Sequence, residues 1–125
     1  MDRLFLALGA ASAFLAVAAG AFGAHALRAR VPADLLEVFE TGARYEMYHA
    51  LALLIVGVLI AQGPPGGSAW LPAAGWLFAL GTLLFSGSLY LLALTGARWW
   101  GAVTPFGGVA FLLGWVALAI AAWRR

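Results

Sequence analysis

LFLALGAASAFLAVAAGAFGAHA, residues Leu4 to Ala26, runs for 23 residues without a formal charge. A helix rising about 1.5 Å per residue needs about 20 apolar residues to cross roughly 30 Å of hydrocarbon, so this stretch has the length of a transmembrane helix. Its rival reading is a cleaved signal peptide, since Arg3 precedes the run and Ala-x-Ala sites fall near Ala16 to Ala18. The run is too long for a signal core. Ser12, Ala16, Gly20 and Ala24 recur at every fourth position, a stripe that lets another helix backbone approach closely.

The rest of the chain agrees with this reading. Of 125 residues, 65% are hydrophobic and 10% charged, against about a quarter charged in soluble domains, and the mean hydropathy is +0.98. The net charge is +2, and all seven basic residues are Arg, placed singly or in pairs. No basic patch arises, which argues against a nucleic-acid partner. Cysteine is absent, which removes thiolate chemistry and cysteine metal sites.

Outward from the first span, residues 27–43 form a connector holding Arg28, Arg30, Asp34, Glu37 and Glu40 among Leu35, Leu36, Val38 and Phe39. Pro32 suits the first turn of a helix, and the mixture predicts a short interfacial amphipathic helix over about 32–41, with a bend at Gly42. Three further spans are predicted, at about 45–61, 72–94 and 105–122, the last opened by Thr104 as N-cap and Pro105. The fold class is therefore all-α, an integral membrane four-helix bundle forming one domain. Trp70 and Trp123 mark one interface, and Trp99 with Trp100 the other. Four crossings place both ends of the chain on one side together with the uncharged turn at 62–68. The arginine count does not fix which side faces the cytoplasm.

Depth separates the polar residues. His25, Tyr45, His49, Ser86, Ser88, Tyr90 and Thr104 lie toward the side of the first and third connections, while the other half is apolar apart from Ser12. A polar vestibule open on that side is expected, with these seven residues as its candidate ligand-binding lining. At its mouth, Glu40 and Arg44 stand at i, i+4 with the acid first, the order that favours an ion pair. Residues 39–50 thus read as the hinge where an interfacial helix turns into the membrane. His25 and His49 are the only histidines, and imidazole can relay protons or bind metal. A zinc site would need Glu40 or Glu46 in addition, and bis-histidine haem ligation is the other metal alternative. No phosphate loop, nucleophile elbow or His-Glu-x-x-His motif is present, and no cofactor is called for.

Four motifs in order carry a family resemblance: Gly20-Ala21-Phe22-Gly23-Ala24-His25, Thr41-Gly42 with Tyr45 and His49-Ala50, Leu84-Phe85-Ser86-Gly87-Ser88-Leu89-Tyr90, and Thr104-Pro105-Phe106-Gly107-Gly108. Over nearly the whole chain, they resemble the YgdD-like small membrane proteins, domain of unknown function 423, whose animal relatives are called transmembrane protein 256. The resemblance implies a four-helix protein of bacterial inner membranes, and no catalytic residues. It also implies a shared polar pattern of His25, Thr41, Tyr45, His49, Ser86, Ser88, Tyr90 and Thr104, outside which Glu40 and Arg44 fall. Glu46 stands where similar chains lead one to expect Gln. A basic carboxyl end in similar proteins tilts the expectation toward both termini in the cytoplasm.

The leading functional expectation is binding or transport of a lipid or small polar ligand within the bilayer. The alternatives are an assembly factor without ligand, in which Ala16, Gly20, Ala24, Ala110 and Gly114 form a homo-oligomer interface, and a metal- or haem-binding protein. An intramembrane enzyme has least support, because no nucleophile with its base is recognisable.

Overall fold

The computed structural model describes residues 1–64 and 67–124. Four long helices follow one another: α1 (Asp2–Ala24), α2 (Ala33–Gln62), α3 (Trp70–Thr95) and α4 (Thr104–Trp123). Short 3-10 turns at Leu27–Ala29 and Arg98–Ala102 lie in the first and third connections. All four helices are long and apolar enough to cross a membrane, and such a helix closes its backbone hydrogen bonds internally, as hydrocarbon requires.

The second helix departs from expectation. The interfacial segment and the second span form one uninterrupted helix of 30 residues, so there is no bend at Gly42. Gly42 is buried there, and its missing Cβ makes room for the ring of Tyr90 and for Leu89 of α3. The glycine thus serves a close approach between helices. Two helix starts also shift by one position. Pro32 is the N-cap of α2, and Val103 that of α4, so that Thr104 enters the first turn and makes no capping bond. At the end of α3, Gly96 adopts φ 70° and stops the helix with its N–H on the carbonyl of Leu92.

The extensive contacts are α1 with α2, α2 with α3 and α3 with α4, so α2 and α3 stand at the centre and α1 and α4 at the flanks. Aromatic rings seated where glycines leave space make these contacts tight. Phe5, fully buried, fills the position a Cβ at Gly75 would need, and Phe111 does the same at Gly81. A Cβ at Gly107 would run into the backbone of Phe85. Phe5, Leu53, Val56, Phe78 and Phe111 form the main core. A smaller cluster of Leu27, Phe39 and Ala93 closes the end that carries the charged connector.

Of the small residues expected at an oligomer interface, Ala16, Ala110 and Gly114 are buried, Gly114 against Leu77 and Phe78 of α3, whereas Gly20 is half-buried with open space beyond it and Ala24 is exposed. Large apolar side chains cover much of the outside, among them Phe14, Leu83, Phe106 and Leu112, each about 70% exposed. That surface suits lipid.

The two ends of the bundle differ, and the larger opening lies at the end of the termini, not at the end of the first and third connections where a polar vestibule is expected. Met1, Asp2, Gln62, Ser68 and Arg124 line one cavity of ≈ 880 Å³, which puts both ends of the described chain and the second connection together. The Arg124 guanidinium lies 6.0 Å from the Trp70 ring there. At the opposite end Trp99 stacks on Trp100 at 4.1 Å, and Arg98 bridges to Asp34 at 3.2 Å, tying the third connection to the start of α2.

Candidate functional site

Glu46 is buried in α2, and it is the only charged residue inside the four spans expected from sequence. Ser12 of α1 donates to its Oε2 at 3.1 Å, and the Tyr90 hydroxyl of α3 donates to its Oε1 at 2.7 Å. Ser12 lies ten residues after Asp2 and twelve before Ala24, so this cluster sits about 15 to 18 Å from either end of α1. A carboxyl group buried at that depth needs hydrogen-bond partners within the protein, and hydroxyls from two neighbouring helices supply them.

His49, one turn further along α2, is engaged elsewhere. The indole N–H of Trp115 donates to its Nε2 at 3.1 Å, and its Nδ1 lies 2.7 Å from the Tyr45 carbonyl. An indole can only donate, so Nε2 carries the lone pair and Nδ1 holds the proton, which goes to the carbonyl. The ring stacks on Phe111 at 3.4 Å with an interplanar angle of 5°. Both nitrogens and one face are thus committed to joining α2 with α4 and to the helix's own backbone. Neither nitrogen is left as a free metal ligand or proton relay.

The remaining members of the expected vestibule do not line one cavity. Ser86 donates to the Gly42 carbonyl at 2.7 Å, joining α3 to α2. Ser88 donates to the Phe85 carbonyl at 2.9 Å and shares a 2.6 Å hydrogen bond with Thr104, joining α3 to α4. Tyr45 is exposed on the outer face, its ring 4.8 Å from Phe85. His25 is exposed at the C-cap of α1, away from His49. The vestibule therefore breaks into separate hydrogen-bonded joints. The physical reason is the solvent: in hydrocarbon each polar side chain pairs with the nearest neighbouring helix instead of waiting on water. Among the described residues no group of three or more His, Asp or Glu is placed to hold a metal ion.

The expected ion pair at the mouth is also absent. Among the described residues the ion pairs join the Met1 amino group to Asp2 and Arg98 to Asp34. Arg44 instead donates to the Thr41 hydroxyl at 3.5 Å, and both Arg44 and Glu40 are exposed. An exposed i, i+4 pair contributes only about 0.3 to 0.5 kcal/mol, little to set against the freedom of two long side chains. These two charges border a groove of ≈ 410 Å³ between α1 and α2, walled by Ala16, Gly20, Ala43 and Met47. Among the described residues, and apart from the adjoining backbone of α1 itself, no atom lies within 4 Å of where a Cβ on Gly20 would stand. The groove is long on apolar wall and carries both signs of charge at its outer rim.

Three features escaped the sequence reading: the Glu46 cluster, the role of Ser12 in it, and the donor Trp115. A signal for the first was present, since an acid inside an apolar span needs a partner, and Ser12 is the only hydroxyl in the first span. Nothing in the spacing marked Trp115.

Residues 19–108 match the family described as "Protein of unknown function (DUF423)". The chain is similar to UPF0382 membrane protein YwdK of Bacillus subtilis (strain 168), 48% identical over 120 residues that cover 96% of each protein. It is also similar to UPF0382 membrane protein SAB0533 of Staphylococcus aureus (strain bovine RF122 / ET3-1), 46% identical over 98% of this chain and 97% of the relative. UPF0382 membrane protein SERP0230 of Staphylococcus epidermidis is 46% identical over 95% and 94%. No solved structure matches the chain.

Proposed function

The chain belongs to the DUF423 family of membrane proteins, and we propose that this member binds a phospholipid in the groove between α1 and α2. The observation that carries the reading is the groove itself. It has apolar walls of Ala16, Gly20, Ala43 and Met47, open space beside Gly20, and at the rim an Arg44 that is in no ion pair among the described residues. An acyl chain fits the walls by the same dispersion and packing that join helices in lipid. A phosphate meets the guanidinium, which is built to hold one with paired N–H donors. The membrane is an inner membrane of a bacterium, with both termini in the cytoplasm.

Gly20→Leu tests this reading cleanly. The Cβ of the new side chain enters open space, and the side chain grows from one wall of the groove. Purified in mild detergent, the native chain should retain lipid measurable by mass spectrometry, and the variant should lose it while keeping its helical circular dichroism. Equal lipid retention by both would refute the reading.

A ligand-free assembly role has its own support in the polar joints, since Ser86, Ser88, Tyr90, His49 and Thr104 all bond within the chain. Absence of retained lipid from the native protein would favour that role.

A further inference from the structure

Resting on the lipid-groove reading, we infer that the headgroup recognised at the α1–α2 groove is that of an ethanolamine phospholipid. Glu40 and Arg44 are on the same stripe of α2, both exposed, both lining the groove, and not paired with one another. Four residues of helix separate them by about 6 Å along the axis. Glu40 is the outer of the two, nearer the connector that holds Arg28, Arg30 and Asp34. Arg44 is the inner one along the helix, beside Ala43 and Met47, and its guanidinium reaches outward as far as the Thr41 hydroxyl, 3.5 Å away.

A phospholipid anchored from the hydrocarbon side presents its groups in that order. The acyl chain comes first, then the phosphate, then whatever the phosphate carries outward. With the chain along Ala16, Gly20 and Met47, the phosphate reaches Arg44, and a cation two carbons further out reaches Glu40. Ethanolamine supplies that cation as a primary ammonium with three N–H donors, each able to make a charge-assisted hydrogen bond to the Glu40 carboxylate. A glycerol headgroup offers no cation there. A serine headgroup sets a second carboxylate against Glu40, and a choline headgroup buries its charge under methyl groups that donate nothing.

The full-length protein in detergent, incubated with an equimolar mixture of dioleoyl phosphatidylethanolamine, phosphatidylglycerol and phosphatidylcholine, tests the inference by native mass spectrometry of the retained lipids. The native chain should retain the ethanolamine lipid over the glycerol lipid by about five-fold, the scale of one favourable exposed charge contact. Glu40→Gln should level that preference while total retained lipid changes little, and Arg44→Gln should lower retention of all three. Both positions are exposed, so neither variant threatens the fold. Retention without headgroup preference, or a preference that survives Glu40→Gln, overturns the ethanolamine inference and leaves the groove reading standing. Equal retention of all three lipids by the native chain and by Gly20→Leu overturns both.

Discussion

Replacing Glu46 by Gln keeps a carbonyl oxygen for the Tyr90 hydroxyl and gives Ser12 an amide donor, so both joints persist. Replacing it by Leu strands the two hydroxyls in hydrocarbon. Hydrogen bonds between membrane helices contribute about 0.6 kcal/mol on average and up to about 1.7 kcal/mol, so Glu46→Leu should lose about 1 to 3 kcal/mol of stability and Glu46→Gln less than about 0.5 kcal/mol. Unfolding in mixed micelles of increasing SDS fraction measures both; a Leu variant as stable as the Gln variant would show that the carboxyl group ties nothing together. At the same scale lies the limit of reading by position. Tyr45, His49 and Tyr90 share a depth, which the spacing reveals. Whether they share a cavity depends on which neighbour each side meets, and His49 meets Trp115 and Phe111 of α4 while Tyr90 reaches Glu46. Depth follows from residue number along one helix; direction follows from how the helices pair.

The helices themselves were legible because each is a long apolar run bounded by polar, glycine or proline residues, and a bilayer leaves such a run little choice of structure. The boundary between the predicted interfacial helix and the second span was misread for a physical reason. Gly42 has the composition of a bend, yet α2 runs uninterrupted through it, and the glycine is buried where Tyr90 of α3 approaches closely. A consequence is measurable. Spin labels at the exposed positions Glu37 and Ile55, eighteen residues apart, should report about 27 Å between backbone sites by pulsed electron spin resonance, the length of unbroken helix. A markedly shorter or broad distribution would restore the hinge. The amphipathic start of α2 is then a rigid extension of the span, which fixes Glu40 and Arg44 in height relative to the groove.

At the scale of the whole molecule, the ends of the described chain and the second connection share one face, and the exposed Asp34–Arg98 pair lies on the opposite face. Alkaline phosphatase fused after Arg125 should be inactive, and fused within the third connection active, if the termini are cytoplasmic; the reverse pattern would invert the protein. The row-like packing, in which each helix lies along the one before it in sequence, bears on how the protein is made. A ribosome releases the spans in order, and each new span finds its main partner already in the membrane, with only a short connection to close. Glu46 does not share this convenience. When α1 and α2 have entered the bilayer, the acid has Ser12 beside it, but Tyr90 is still to be synthesised. The first hairpin therefore waits with a half-answered polar group in its interior, and the arrival of the third span completes it.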